Sequence, residues 1–505
     1  MSNTAPLSST PTPAAPLGHT AARGFAYFLA QGLIVKLINT VGQIVLAWLL
    51  DRQDFGYVGL ALGVAFFASL IQNAGTREIL VQRGRHFSRW ANAAFWMSLG
   101  LGVTSSGLML AAAPLAAAFY HDPRLVGLIC VLAVSNLLQS LNTVPDARLQ
   151  SQLRFRMLAT VGLFTAVGTM GLSIVFAAMG MGAYSFLLPL PIVEAGRALV
   201  LWSVARPPVR LRLQARRWRY MATDSAMLLL AGFFLAITWQ ADFIILGRLY
   251  QEKAVVGLYF WARSFSTQAL QLLALNVAGV LFPSLAKLQG EPQRQLAAFL
   301  RAARALAILA VPACFLQAAL ADPLVRLLFR EDWRAGIPLV QVLSVGWALF
   351  ASTHAATSML KAQGRFRLLT AYGMLSAALF VTLAYVGASG GRGGMGAAWG
   401  VAAYAWLTGP LGVYLAIRPL GGTWRDTVAI FAAPVLVGAA ATGAAVGAGM
   451  AVPQVGDRLR PILQTLVILP VAAGLYAAMI RKAMPAPWED LVLRLGALTG
   501  RQRPR

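Results

Sequence analysis

Stretches of roughly 20 apolar residues recur along almost the whole of this chain, and each is long enough to cross about 30 Å of hydrocarbon as a helix. No soluble interior could hide so much apolar surface. Charged residues make up 12% of the chain, about half the usual share, and the mean hydropathy is +0.67. A β-barrel would show short alternating segments with polar neighbours, and the runs are continuous instead. The reading is an all-α polytopic membrane protein of about 14 transmembrane helices. The expected spans are 23–50, 55–75, 91–117, 125–144, 157–180, 183–204, 222–246, 255–281, 302–320, 336–360, 368–388, 394–417, 428–450 and 461–480.

The formal charge of +25 might suggest a nucleic-acid partner. The chain has no basic domain with interleaved aromatics, so no nucleic acid is expected, and the cations fall in short loops between spans. With the amino terminus in the cytoplasm, the loops on that side carry 29 Lys and Arg against 10 on the other. That bias fits an even number of spans with both termini cytoplasmic in a bacterial inner membrane. Residues 1–22, with four prolines among Ser and Thr, read as a disordered tail lacking the features of a signal peptide. Cys130 and Cys314 each lie in an apolar run, which leaves no basis for a disulfide framework or a thiolate metal site.

The spans are organised as a repeat. Arg154-Phe-Arg-Met-Leu follows the fourth span and Arg365-Phe-Arg-Leu-Leu the tenth, 211 positions later, and the same offset pairs Leu132-Ala-Val134 with Leu343-Ser-Val345. Nearer the start, Phe55-Gly56-Tyr57 aligns with Val256-Gly257-Leu258 at an offset of 201. The chain therefore divides into an N-lobe at 23–204, a basic linker at 205–221 and a C-lobe at 222–417, two pseudo-symmetric six-helix lobes. Two further helices occupy 418–481, and 482–505 form a basic cytoplasmic tail. The linker reads either as a short headgroup-level helix with its arginines on membrane lipid phosphates or as a topological retention loop. Parallel repeats place a substrate cavity between halves that rock against each other. Gly396-Ala-Ala-Trp-Gly400 and Gly443-Ala-Ala-Val-Gly447 are small-residue motifs, expected to pack within the bundle.

Outside the loops the spans hold three cations, Lys36, Arg197 and Arg263, and three acids, Glu194, Asp224 and Asp242. A charge near the bilayer centre costs roughly 2.5–3.5 kcal/mol even on lenient scales, so each should face a partner or a wet cavity. Lys36, Asn39 and Gln43 form one stripe on the first span, and Arg263, Thr267 and Gln271 another on the eighth. The two stripes are expected to line one central volume, with interhelical hydrogen bonding as the alternative. Glu194 and Arg197 lie one turn apart just after Pro189 and Pro191, which should kink the sixth span. They read as a self-neutralising pair or as a hinge beside a polar site. Asp224 reads as a helix cap. Asp242 is a candidate for carrying a coupling ion, or an interfacial acid. Arg77 reads as a phosphate ligand or a topology anchor. His354 reads as a proton relay or a hydrogen-bonded helix contact. No nucleotide loop, metal-ligand cluster or nucleophile–base arrangement is present in the sequence. An enzyme is not expected, nor any cofactor beyond a coupling H+ or Na+.

Leu50-Asp-Arg-Gln-Asp54-Phe-Gly-Tyr-Val-Gly-Leu-Ala61, then Gly75-Thr-Arg-Glu-Ile-Leu-Val-Gln-Arg83, then Pro145-Asp-Ala-Arg-Leu-Gln150, resemble the Wzx/WzxC-like oligosaccharide flippases of the multidrug/oligosaccharidyl-lipid/polysaccharide exporter superfamily. The resemblance covers about 23–162 by motif and the rest by topology. It implies twelve core helices in two lobes, two more at the carboxyl end, and alternating access. It also implies an undecaprenyl-diphosphate-linked oligosaccharide as cargo, with a polysaccharide polymerase and other assembly proteins as partners. Thr76-Arg77-Glu78 departs from the small or apolar residues expected there. In the resulting expectation Lys36, Arg77, Arg197 and Arg263 hold the diphosphate in a cationic cavity, while Asn39, Gln43, Thr267 and Gln271 line it and Asp242, Glu194 or His354 serves coupling. The alternatives are a cation-coupled multidrug exporter, a lipid II flippase, and a non-transporting scaffold.

Overall fold

A computed structural model describes residues 17–72, 76, 80, 87–152, 154–210, 215–271, 281–282, 284–454, 456 and 458–489, with side chains outside 17–30, 215–217 and 219–231. The chain is α-helical throughout these residues. Helices α1 (Leu17–Leu49), α2 (Arg52–Gln72), α3 (Phe87–Tyr120), α4 (Arg124–Ser151), α5 (Phe155–Ala178) and α6 (Pro189–Ala205) form the first half. The second half consists of α7 (Ala215–Leu249), α8 (Lys253–Ser266), α9 (Pro292–Leu328), the broken helix α10a (Ile337–Trp347) and α10b (Ala351–Ala362), α11 (Phe366–Ser389) and α12 (Gly393–Ile417). Helices α13 (Trp424–Met450) and α14 (Leu459–Ala483) follow.

Thirteen helical stretches among the described residues are long and apolar enough to cross a membrane. The remaining expected span, 255–281, begins with α8, and its residues 272–280 lie outside the described residues. Two boundaries differ from expectation. Helix α1 begins at Leu17, inside the stretch expected to be a tail. Among the described residues the linker shows no separate headgroup helix: from Ala215 onward it is the first turns of the 35-residue α7. Just before it, the Arg210 N–H donates to Asn92 Oδ1 over 2.8 Å and Trp96 Nε1 donates to the Arg210 carbonyl over 3.0 Å, so the start of the linker is strapped to α3. The prolines of the sixth span act as breakers. A single turn at Tyr184–Leu187 precedes α6, which starts on Pro189, where the missing N–H costs no helical hydrogen bond.

The repeat is visible helix by helix. Helices α5 and α11 both have 24 residues, with ends 211 positions apart, and each is preceded by an Arg of similar backbone conformation, Arg154 (φ −77°, ψ 52°) and Arg365 (φ −87°, ψ 57°). The pairings α1–α5, α3–α4 and α4–α6 recur in the second half as α7–α11, α9–α10a and the two parts of α10 with α12. The halves meet where α2 crosses α8. A Cβ added to Gly56 would run into the Lys253 carbonyl oxygen, and one added to Gly257 into the Arg52 carbonyl oxygen. Both obstacles are themselves one repeat apart. On one flank Trp48 Nε1 donates to the Leu328 carbonyl over 2.5 Å and Trp333 Nε1 to the Ala47 carbonyl over 2.9 Å. On the other flank Lys253 Nζ donates to the Tyr120 carbonyl over 3.1 Å, at the carboxyl end of α3, where a cation also favours the helix dipole. All these contacts lie at the end of the bundle opposite the strongly basic loops.

The two small-residue motifs part company. Gly396 and Gly400 of α12 press against the Gly387 and Leu383 carbonyls of α11, as close packing in the bundle requires. A Cβ added to Gly443 or Gly447 of α13 would meet nothing within 4 Å, so this motif does not bring another helix close, contrary to the expectation of packing inside the bundle.

Candidate functional site

Three hollows lie where the halves meet, and neighbouring ones share lining side chains. The first, of 280 Å³, is lined by Gln43 and Ser264 among the aromatic rings of Phe55, Phe186, Phe260 and Trp261. The second, of 290 Å³, is lined by Ser69, Ser135, Asn136, Gln139 and Gln240 and shares Leu62 with the first. The third, of 310 Å³, is lined by Trp239, Gln240, Gln271 and His354 and shares Phe66 and Gln240 with the second. Adjacent through these shared residues, the three make up a chamber whose polar lining is amides, hydroxyls and an imidazole beside two tryptophan indoles.

The stripe on α1 turns inward as expected. Leu33, Ile34, Leu37 and Val41 face outward, while Lys36 reaches across the interface and its Nζ donates to Gln271 Oε1 over 2.6 Å. Gln43 lines the first hollow, and half-buried Asn39 lies between them on the same face. On the eighth span Gln271 meets the chamber, but Thr267 does not. Its hydroxyl is buried and bonded to the Arg263 and Ser264 carbonyls of its own helix.

Two of the expected cavity cations are committed elsewhere. The Arg263 side chain is 4% exposed and its Nη1 binds both oxygens of fully buried Asp242, one of them over 2.5 Å. Tyr259 donates to the same carboxylate over 2.8 Å, and the guanidinium lies against Trp239, Phe243 and Trp347. The physical reason is the cost of a bare ion in hydrocarbon: Asp242 on α7 faces Arg263 on α8, and each neutralises the other. Asp242 is thus an ion-pair partner in the C-lobe core, not an interfacial acid.

Arg197 is held by two acids. Its Nη2 lies 2.5 Å from Asp146 Oδ2 on α4 and its Nη1 3.4 Å from the Glu194 carboxylate, which also accepts from Asn142 Nδ2 over 2.7 Å. Glu194 and Arg197 do pair, but as parts of a larger cluster with Asn142 and Asp146. The expectation of a four-cation cavity is therefore corrected: Arg197 and Arg263 are paired away from it, Lys36 meets the chamber lining only through its bond to Gln271, and Arg77 lies outside the described residues, as does the side chain of Asp224. His354 borders the third hollow with its ring edge-on to Phe350 at 6.0 Å, and no hydrogen bond from its imidazole is seen among the described residues.

Sequence reasoning missed Asp146, which falls in a motif read as a loop, and missed the polar face of α4. Ser135, Gln139, Asn142 and Asp146 recur at helical spacing along α4, a signal equal to the stripe noticed on α1.

Two parallel six-helix halves around a shared chamber make up a helical membrane fold that is also found in multidrug transporters and a lipid flippase. Among solved structures the chain superimposes on the lipid II flippase MurJ in an inward closed conformation with a TM-score of 0.71, 11% identity, and coverage of 90% of this chain and 99% of that one. An inward-facing multidrug transporter of the MATE family gives 0.62 and 17% identity, over 77% of this chain and 94% of that one.

Residues 45–338 match the family described as polysaccharide biosynthesis protein, and the chain belongs to that family. Its curated relatives include the succinoglycan biosynthesis transport protein ExoT of Rhizobium meliloti, 24% identical over 64% of this chain and 65% of that protein. The teichuronic acid biosynthesis protein TuaB of Bacillus subtilis is 24% identical over 59% and 62%. The lipopolysaccharide biosynthesis protein WzxC of Escherichia coli is 21% identical over 78% and 81%. The chain spans just under two thirds of the length of the first two. The resemblance to Wzx-like flippases read from the sequence motifs is borne out.

Proposed function

We propose that this protein is a flippase, and not an enzyme, that carries undecaprenyl-diphosphate-linked oligosaccharide repeat units from the cytoplasmic to the periplasmic leaflet of the bacterial inner membrane. The product feeds exopolysaccharide or O-antigen assembly, with a polymerase and other assembly proteins downstream. The observation that carries this reading is the chamber between the halves. Amides and hydroxyls exchange hydrogen bonds with sugar hydroxyls at little net cost, and aromatic rings cover sugar faces. Lys36 supplies a cation for the diphosphate, and taking it would break the bond to Gln271 that joins the halves. The family, the succinoglycan biosynthesis transport protein, and the teichuronic acid and lipopolysaccharide biosynthesis proteins among its relatives support the same cargo class.

By the distribution of positive charge the basic loops and both termini are cytoplasmic, which makes the α2–α8 crossing the periplasmic seal. Moving anionic charge outward against a negative-inside potential is downhill by about 2.3 kcal/mol per charge per 100 mV. The return step draws on H+ or Na+, and Glu194, within the cluster it forms with Asn142 and Arg197, is the place for it. An exporter of cationic drugs would present unpaired acids to its chamber. Here Asp242 and Glu194 are both paired, so saccharide is the better fit.

The reading is tested by removing the protein from its host and analysing both surface polymer and membrane lipids by mass spectrometry. Loss of polymer with accumulation of an undecaprenyl-linked saccharide supports it. Normal polymer with no accumulated lipid-linked saccharide overturns it.

A further inference from the structure

The second hollow contains a polar side chain whose orientation is fixed by its neighbours. Asn136 on α4 is 6% exposed and lines that hollow. Its Nδ2 lies 3.0 Å from Ser105 Oγ and 3.2 Å from Ser106 Oγ, both on α3. Each serine hydroxyl has a single proton, and each is already committed. Ser105 donates to the Ala68 carbonyl over 2.7 Å, and Ser106 donates to the Ala133 carbonyl over 2.8 Å. Only their lone pairs remain for Asn136, so the amide must turn its N–H groups to the serines. Its Oδ1 is left facing the hollow, and no hydrogen bond to that oxygen is present among the described residues.

We infer that this branch of the chamber is a saccharide subsite in which Asn136 Oδ1 is a fixed acceptor for a sugar hydroxyl and helps determine which sugar is carried. The inference rests on the flippase reading and deepens it: the saccharide enters the branch formed by α2, α3, α4 and α7, while the diphosphate stays beside Lys36. Four features make the branch suited to a neutral sugar. Its polar lining is Ser69, Ser135, Asn136, Gln139 and Gln240, all uncharged. Gln139 and Gln240 are free to rotate either face of their amides toward a ligand, since no hydrogen bond from either side chain is seen among the described residues. Phe66 supplies an aromatic face at the junction with the third hollow. The acceptor itself is held by a network spanning three helices, so binding does not require it to lose rotational freedom. A site built to bond a substrate hydroxyl discriminates strongly against a substrate lacking it, because its own buried group is then left unpaired.

The test uses the full chain in a host lacking its own copy, with surface hexose as the readout and Lys36→Gln run alongside. Asn136→Ala is expected to cut export at least tenfold at unchanged membrane level and melting temperature. Asn136→Asp, which still presents an oxygen to the hollow, is expected to keep a third or more. Should Asn136→Ala fail to reach the membrane, the Ser105→Ala/Ser106→Ala variant, which keeps the asparagine but frees its amide to turn, carries the expectation of a several-fold loss. Wild-type export by Asn136→Ala, or by the serine variant where it stands in, while Lys36→Gln is inactive overturns the subsite alone. Wild-type export by Lys36→Gln as well overturns the flippase reading beneath it.

Discussion

Gly56 and Gly257, one repeat length apart in the chain, are each denied a side chain by the other's helix: the space a Cβ would need at Gly56 is filled by the Lys253 carbonyl, and at Gly257 by the Arg52 carbonyl. The contact is therefore two-fold symmetric and made of backbone, which cannot move aside as a side chain can. It brings α2 and α8 together on the line where the two halves meet.

Replacing either glycine by leucine should force the halves apart at this crossing. Overpacking of this kind costs typically about 1–3 kcal/mol. The expected outcome for Gly257→Leu is a clear drop in detergent melting temperature together with loss of surface polymer. Gly443→Leu, on α13 where an added Cβ meets nothing within 4 Å, should leave both unchanged. Equal behaviour of the two variants would remove the crossing from the account.

The tryptophan contacts beside the crossing make a second prediction. Trp48 donates to Leu328 and Trp333 to Ala47, each bond running from one half to the other. In a Cys130→Ser/Cys314→Ala background, joining Trp48→Cys to Leu328→Cys with a short reducible bis-thiosulfonate linker should stop export. Reduction should restore it. Undiminished export by the linked protein would show that this end of the molecule does not open.

The Arg263–Asp242 pair should behave as a structural unit. Breaking a buried pair from one side leaves an uncompensated charge and costs about 3–5 kcal/mol, whereas replacing both partners by apolar residues is often neutral. Asp242→Asn should lower the amount of folded protein in the membrane severely, and Asp242→Leu/Arg263→Met should restore it, as read by fluorescence-detected size exclusion. If Asp242→Asn accumulates at the wild-type level, the pair is not holding α7 to α8.

Much of the architecture was legible because it depends on periodicity and length alone. Runs of about 20 apolar residues gave the spans, and the offsets of 201 and 211 reappear as the Gly56–Gly257 contact and the matched ends of α5 and α11. The site was legible only in part. Helical spacing tells which residues share a face, so Lys36 and Gln43 were placed inward correctly. It does not tell which helix that face meets. Arg263 looked free because its partner Asp242 lies on another helix, and Arg197 looked half-paired because Asp146 sits on α4, 51 positions earlier. Asn136 carries no charge and drew no attention, although a three-helix network fixes its orientation.

The central claim is movement of a lipid-linked saccharide between leaflets through a chamber whose Gln271 is bonded to Lys36. Its most direct test is the fraction of that lipid accessible to a membrane-impermeant oxidant in right-side-out spheroplasts of a polymerase-deleted host, where the cargo collects after transport. Most of it should be oxidisable with the wild-type protein or Lys36→Arg, and little with Lys36→Gln or with no protein. The same accessible fraction in all four strains would contradict the account.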